Sequence, residues 1–152
     1  MKYRYQFLLN IIFFAYLNSF ANVLPVDLKC EYRTKPLGVD NLAPRFSWSL
    51  SETNFNRGQK QKAYQIIVSS TKQNLAKNIG DVWNSNKVSQ DNSVSVVYKG
   101  KPLRSSKFYY WKVRVWDVSG KVSKWSEEAK FSTGLFKPED WKGEWIQKAD
   151  QK

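Results

Sequence analysis

The segment from Phe108 to Trp116 constrains the fold more than any other part of the chain, because its side chains alternate strictly. One face carries Tyr109, Trp111, Val113 and Val115, and the other carries Tyr110, Lys112, Arg114 and Trp116. A period of two predicts a β-strand with one face in a core. Asp117-Val118-Ser119-Gly120 follows this strand and predicts a hairpin turn.

Other short segments with strand patterns lie between clusters of turn residues. We predict strands at Val26–Cys30, Arg45–Leu50, Ala63–Ser70, Val82–Ser85, Ser93–Tyr98 and Val122–Phe131, the last interrupted near residues 125–127. In the first of these strands, Val26, Leu28 and Cys30 alternate with polar residues. One short helix is predicted from Thr71, as its cap, to Asn78, ended by Gly80-Asp81.

About seven strands without long crossover helices predict an all-β fold, an immunoglobulin-like or fibronectin-type-III-like β-sandwich over residues 22–134. Its expected core contains Trp48, Ile66, Tyr109, Trp111, Val113 and Phe131. Residues 135–152 differ in pattern: a linker containing Pro138 precedes residues 144–147, which we interpret as the first strand of a second domain. That domain would then be truncated.

The N-terminal 21 residues predict a secretory signal peptide. Lys2 and Arg4 precede an apolar run from Phe7 to Leu17, and Ser19 and Ala21 are small residues at a cleavage position. A spanning helix needs roughly 20 apolar residues, and this run is about half that length, so we prefer a leader to an uncleaved anchor. The expected location is therefore secreted or periplasmic, with no membrane span after cleavage.

The composition excludes several kinds of chemistry. The chain has no histidine and one cysteine, so a Ser-His-Asp or Cys-His site and an internal disulfide are ruled out. No glycine-rich phosphate loop or metal-ligand spacing is present, and we expect no cofactor and no metal. The net charge of +12 attracts polyanions. For an exported chain, acidic polysaccharide is a better candidate than nucleic acid.

The carboxylates do not form a recognisable catalytic pair. Glycoside hydrolysis needs two carboxyl groups held on either side of a sugar. Most Asp and Glu residues here lie in predicted turns or in the tail, and the adjacent Glu127 and Glu128 would point to opposite faces of a strand. We therefore assign no catalytic residue to this chain.

Two resemblances rest on ordered motifs. Leu103 followed six residues later by Tyr109, then Gly120 and Trp125-Ser126, resembles the last hairpin of a fibronectin type III domain, in which that Tyr makes a corner contact. The second resemblance is carried by Leu28 to Arg33, Pro36 to Asp40, Pro44 to Trp48, Ala63 to Ile66, Gly80 to Ser85, Tyr109 to Asp117, Trp125-Ser126 and Asp140-Trp141. This series resembles the N-terminal module of bacterial α-L-rhamnosidases of glycoside hydrolase family 78, over about residues 24–148.

The second resemblance implies a large exported enzyme. In that family the module is followed by further β-sandwich domains, an (α/α)6 barrel that carries the catalytic carboxylates, and a C-terminal β-domain. No catalytic residue can be carried over, because no barrel is present. The resemblance thus implies a non-catalytic accessory module whose partners are the following domains of the same polypeptide.

One surface is a candidate for binding. Tyr110, Lys112, Arg114, Trp116 and Trp125 would form a face that either contacts carbohydrate or packs against another domain. Exposed rings could stack on sugars while the cations meet uronate groups, which suggests acidic, rhamnose-containing polysaccharide. Alternatively, the rings and basic stems pack on one another. A stand-alone carbohydrate-binding or adhesion β-sandwich is therefore the alternative to an accessory module.

Overall fold

The computed structural model describes Ala21 and residues 23–52 and 60–144. Most of the predicted leader and residues 145–147 of the predicted final strand lie outside these residues. Nine elements follow in order within the described part: β1 (Val23–Cys30), β2 (Arg45–Glu52), β3 (Gln61–Ser69), α1 (Lys72–Ala76), β4 (Trp83–Asn84), β5 (Val96–Val97), β6 (Phe108–Asp117), β7 (Ala129–Ser132) and a 3-10 turn (Pro138–Asp140).

The strands form two antiparallel sheets, which confirms the predicted β-sandwich. One sheet has three strands in the order β1-β2-β5, and the other has four in the order β4-β3-β6-β7. The longest ladder joins β3 to β6, from Gln61 opposite Asp117 to Ser69 opposite Tyr110. The strand that dominates the sequence pattern is therefore central in the larger sheet, where a ten-residue alternation can bury one whole face.

Phe46 lies at the centre of the core between the sheets. Its ring centroid is 4.4 Å from that of Trp111 and 5.9 Å from that of Phe131, so both sheets contribute to one aromatic cluster. The six residues predicted for the core are all buried, as is Cys30. Aromatic rings bury large apolar areas, and this cluster gives the domain its hydrophobic stabilisation without a disulfide.

The predicted tyrosine corner is confirmed. The Tyr109 hydroxyl accepts a hydrogen bond of 2.8 Å from the Arg104 N–H, at the start of β6. The Tyr109 ring is buried and stacks on Phe131, with centroids 5.5 Å apart. The corner therefore fixes the loop before β6 to the strand itself.

The first strand differs from its prediction. Val26 does not share the core side with Leu28 and Cys30, because a β-bulge shifts the β1–β2 register between Val26 and Lys29. Asp27 adopts a φ of 51° at this bulge. An inserted residue reverses the alternation, so the residues buried before the bulge are Val23 and Pro25 and the fully buried one after it is Cys30.

The helix is also shorter than predicted. Thr71 caps its N-terminus, accepting the Asn74 N–H at 3.2 Å, as predicted. The helix ends at Ala76, because Asn78 takes the left-handed conformation with a φ of 59°. The Ile79 N–H then bonds to the Asn74 carbonyl and the Asn78 N–H to the Leu75 carbonyl. This is a Schellman motif, and Asn78 rather than Gly80 stops the helix.

The described chain enters and leaves the sandwich at its two opposite ends, which we call its poles. At the N-terminal pole, Ala21 donates its N–H to the Val122 carbonyl, beside the β6–β7 turn. At the C-terminal pole, β1 ends at Cys30, β6 begins at Phe108 opposite Ser132, and the chain leaves after Gly134. The described chain therefore enters the sandwich at one pole and leaves it at the other.

Candidate functional site

The residues of the predicted binding face lie on the outer side of the larger sheet. Tyr110, Lys112, Arg114 and Trp116 alternate with the buried residues of β6, and each is half-buried. Trp125, which is also half-buried, joins them from the segment before β7. The structure thus places Lys112, Arg114, Trp116 and Trp125 in one connected group. Tyr110 lies at the end of the same row.

Cations and rings alternate within this group. The Arg114 guanidinium carbon lies 4.7 Å from the centre of the Trp125 ring and 5.2 Å from that of Trp116. The Lys112 ammonium lies 5.4 Å from the centre of Trp125. Such cation–π contacts contribute about 0.5–1 kcal/mol each at exposed sites, and more where water is excluded.

A chain of hydrogen bonds fixes Arg114. Its Nε donates to Gln65 Oε1 at 2.8 Å, and Gln65 Nε2 donates to Asn84 Oδ1 at 2.9 Å. This connects the guanidinium through β3 to β4. Burial lowers the pKa of Arg114 and also that of Lys112.

Two serines, Ser123 and Ser126, fix the segment that carries Trp125 against β6. The sequence analysis did not assign them this role. Ser123 Oγ accepts the Val115 N–H at 3.0 Å, and Ser126 Oγ accepts the Val113 N–H at 3.1 Å. The N–H groups of the same serines donate to the carbonyls of Val115 and Val113. The serine hydroxyls therefore replace regular strand pairing, which explains the interruption predicted near residues 125–127. In the sequence, the only sign of this arrangement is that Ser123 and Ser126 stand on either side of Trp125.

Two lysines also contact the face and could not be found from the pattern of β6. The Lys87 ammonium lies 4.9 Å from the centre of the Trp116 ring. The Lys72 ammonium lies 5.7 Å from the centre of Tyr110 and forms a 2.6 Å ion pair with Glu128. Both come from segments distant in sequence, so only the tertiary fold shows this arrangement.

These contacts determine what the face can do. Each of its three aromatic rings already has at least one cation of the same chain beside it, so a sugar would have to displace that cation or use another side of the ring. The group resembles an internally stabilised surface, with its cations held against rings, more than an open stacking platform. A carboxylate beside the group, Glu128, is exposed and paired with Lys72.

Hydrogen bonds hold several of the described carboxylates in place. Glu31 receives hydrogen bonds from the Arg45 guanidinium, at 2.6 Å from Nη2, and these lower the pKa of Glu31. At Asp117 burial opposes ionisation, but hydrogen bonds from Ser119 and from the Lys121 N–H outweigh it, and the pKa lies below its ordinary value. A general acid in glycoside hydrolysis needs a raised carboxyl pKa. The pKa values of Glu31, Asp81, Asp117 and Asp140 are instead all lowered.

The described residues contain no group of three or more His, Cys, Asp or Glu side chains that could hold a metal ion. In the same part of the chain, no helix has the length and apolar character needed to cross a membrane.

Comparison with known proteins gives consistent results. The family model described as the Rha78A-like, N-terminal immunoglobulin domain matches residues 25–137. An α-L-rhamnosidase of Formosa agariphila is 41% identical over 115 residues, which are 75% of this chain and 12% of that protein. An α-L-rhamnosidase of Streptomyces avermitilis is 42% identical over 116 residues, or 76% of this chain and 11% of that protein.

Solved structures agree with these sequence matches. The α-L-rhamnosidase from Dictyoglumus thermophilum superposes with a TM-score of 0.76 at 46% identity, covering 84% of this chain and 14% of that one. The Streptomyces avermitilis α-L-rhamnosidase, solved in complex with L-rhamnose, gives a TM-score of 0.75 at 39% identity, covering 82% and 12%. The chain therefore spans only a small fraction of the length of each of these relatives.

Proposed function

Because this chain belongs to the family of Rha78A-like N-terminal immunoglobulin domains, we propose that it is the non-catalytic accessory module of a secreted α-L-rhamnosidase. The observation that carries the proposal is the match over residues 25–137, combined with the small share, 11% to 15%, of the relatives that the chain covers. The parent enzyme would remove terminal α-L-rhamnose from plant polysaccharides or glycosides, using residues in a barrel domain outside this chain.

The arrangement of charged groups supports a non-catalytic role. Hydrolysis with inversion needs a carboxylic acid and a carboxylate about 6.5–9.5 Å apart, facing a shared sugar site. The best-anchored carboxylates in the described residues each accept hydrogen bonds from a structural partner: Glu31 from Arg45, Asp81 from Ser70, Asp117 from Lys121 and Asp140 from Ser105. Their lowered pKa values favour the ionised form, which can accept but not donate a proton.

Enzyme assay of the purified chain tests this role. We expect no release of nitrophenol from 4-nitrophenyl α-L-rhamnoside above a blank, at pH values from 4 to 8. A catalytically active rhamnosidase run in parallel confirms the substrate and conditions. Turnover by the chain itself that survives repurification, and that disappears on heat unfolding, would show that the module is an enzyme.

Carbohydrate binding by the outer face is the second candidate function, and the observation that favours it is the grouping of Trp116 and Trp125 with Lys112 and Arg114 on a strongly basic protein. The test is affinity electrophoresis in gels containing rhamnogalacturonan. Retardation that Trp125→Ala abolishes would support a sugar site. Retardation lost only at high salt would indicate charge attraction alone, and unchanged mobility would exclude the binding function.

A further inference from the structure

Apolar side chains are exposed together at the C-terminal pole. Leu37 is 73% exposed, Phe108 49%, Leu135 42% and Trp141 63%. We call these four residues the pole surface. Single exposed apolar residues are common, but a group on one side of a domain marks an interaction site. Six other large apolar residues in the described part are also exposed, and three of them, Val94, Val97 and Val118, come from segments outside those that form the pole surface.

Backbone hydrogen bonds around β7 bring the pole surface together. Ser132 donates its N–H to the Pro36 carbonyl and its Oγ accepts the Gly38 N–H, both at 3.0 Å, so Leu37 lies beside β7. Phe108 pairs with Ser132 from the other side. Leu135 follows Gly134, whose carbonyl accepts the Ser106 N–H at 2.9 Å.

The segment that carries Leu135 and Trp141 is fixed to the sandwich. Phe136 packs against the core, and its N–H donates to Ser105 Oγ at 3.0 Å. The Ser105 hydroxyl in turn donates to the Asp140 carboxylate, which also accepts the Lys137 N–H. The chain therefore leaves the domain in a defined direction, and Trp141 has a fixed attachment point beside Asp140.

A basic cleft adjoins Phe108. Its volume is about 670 Å³, and the charged residues in its wall are Lys101, Arg104, Lys107 and Asp81. The one carboxylate in this wall, that of Asp81, already accepts hydrogen bonds from the N–H and hydroxyl of Ser70. The edge of the pole surface is thus positively charged, and it fits a partner with apolar side chains flanked by carboxylates.

We propose that the pole surface is a fixed interface for the next domain of the same polypeptide, which covers the four apolar residues and presents carboxylates to the basic cleft. This inference rests on the proposed function. The occupant is chosen because the described chain leaves the sandwich through this surface, and because the matched relatives are long proteins of which this domain is a small share. A flexible tether would need neither a docked linker nor exposed apolar groups around it.

The experiment uses the complete gene product from its source, whose intact mass is measured first. Hydrogen exchange is then followed in the wild type, in the triple variant Leu37→Ser/Phe108→Ser/Leu135→Ser, and in the control Val94→Ser/Val97→Ser/Val118→Ser. We expect backbone amides of residues 104–108 and 134–141 to exchange at least tenfold faster in the pole variant than in the wild type and the control. Protection of β6 reports that all three proteins are folded.

Each outcome decides the proposal. A product no larger than the 17.8 kDa of this chain overturns both the proposed function and the interface. A longer product whose pole amides are unaffected by the triple variant overturns the interface alone. A protein that dimerises through the pole surface, with dissociation caused by the same triple variant, also overturns it by identifying a second copy as the occupant.

Discussion

Replacement of Tyr109 by Phe tests the structural reasoning most directly, because it removes one hydrogen bond and little else. The hydroxyl accepts the Arg104 N–H at 2.8 Å, whereas the ring stacks on Phe131 and remains in the variant. Because the ring volume is conserved, no cavity is expected. The change therefore isolates the contribution of the tyrosine corner.

The structure sets limits on the size of the effect. A net hydrogen bond contributes about 0.5–1.5 kcal/mol, and a buried donor left unpaired costs about 1–3 kcal/mol. The Arg104 carbonyl is held independently by the Thr133 hydroxyl at 2.6 Å, so the loop keeps one anchor. We expect a loss of about 1–2 kcal/mol in the free energy of unfolding, and a fall in Tm of about 5–10 °C.

The assay is thermal and urea unfolding of the chain followed by circular dichroism. Tyr110→Phe is the matched control, since it removes the same atom from the next residue, and within the described residues that hydroxyl forms no hydrogen bond with another group. We expect the control to change stability by less than about 0.5 kcal/mol, as surface substitutions usually do. Equal losses in the two variants, or none in Tyr109→Phe, would show that the corner does not stabilise the fold as argued.

Three further predictions follow from single groups. The Arg45 guanidinium lowers the pKa of Glu31 in the folded state, so the unfolded chain binds more protons. The stabilisation that this ion pair gives the folded state is therefore present above pH about 4.5 and is lost as the pH falls through the folded pKa of Glu31. Urea unfolding at pH 3–7 should show a weaker pH dependence of stability in Glu31→Gln than in the wild type. Burial, with a smaller effect of Glu31, raises the pKa of Cys30 to about 12, so Ellman's reagent at pH 8 should label it only at the rate of unfolding, and fast labelling of the native protein would contradict its placement in the core. Ser126→Ala removes the acceptor of the buried Val113 N–H and should cost about 1–3 kcal/mol in urea unfolding; an unchanged midpoint would mean that water or another group replaces the hydroxyl.

Alternation and turn residues predicted most of the fold. The pattern of β6 was sufficient because one face of a central strand is entirely buried, and each side chain on it reports the same environment. The bulge at Asp27 was not predictable, because an inserted residue changes the phase without changing the kind of residues on either side. The end of the helix was misplaced for a related reason: Asn tolerates the left-handed conformation, and only the backbone shows that Asn78 adopts it.

The sequence predicted the members of the candidate binding face but not the contacts among them. Tyr110, Lys112, Arg114 and Trp116 follow from the period of two, and their place on one face is confirmed. Their ring contacts depend on Trp125, which is positioned by Ser123 and Ser126, and on lysines from other segments. Whether this face binds carbohydrate stays a prediction, since it depends on a partner and not on the packing within one chain.

Ala21 and Gly134, where the described chain enters and leaves the sandwich, lie at opposite poles, and this has a mechanical consequence. A pulling force between Ala21 and Gly134 acts along β1, whose ladder to β2 runs from Val23 opposite Glu52 to Cys30 opposite Phe46. Hydrogen bonds in an antiparallel pair are perpendicular to the strands. Such a force therefore loads the bonds of the ladder together in shear, instead of opening them one after another. A domain connected in this way resists extension, and it transmits tension between whatever is attached at its two ends.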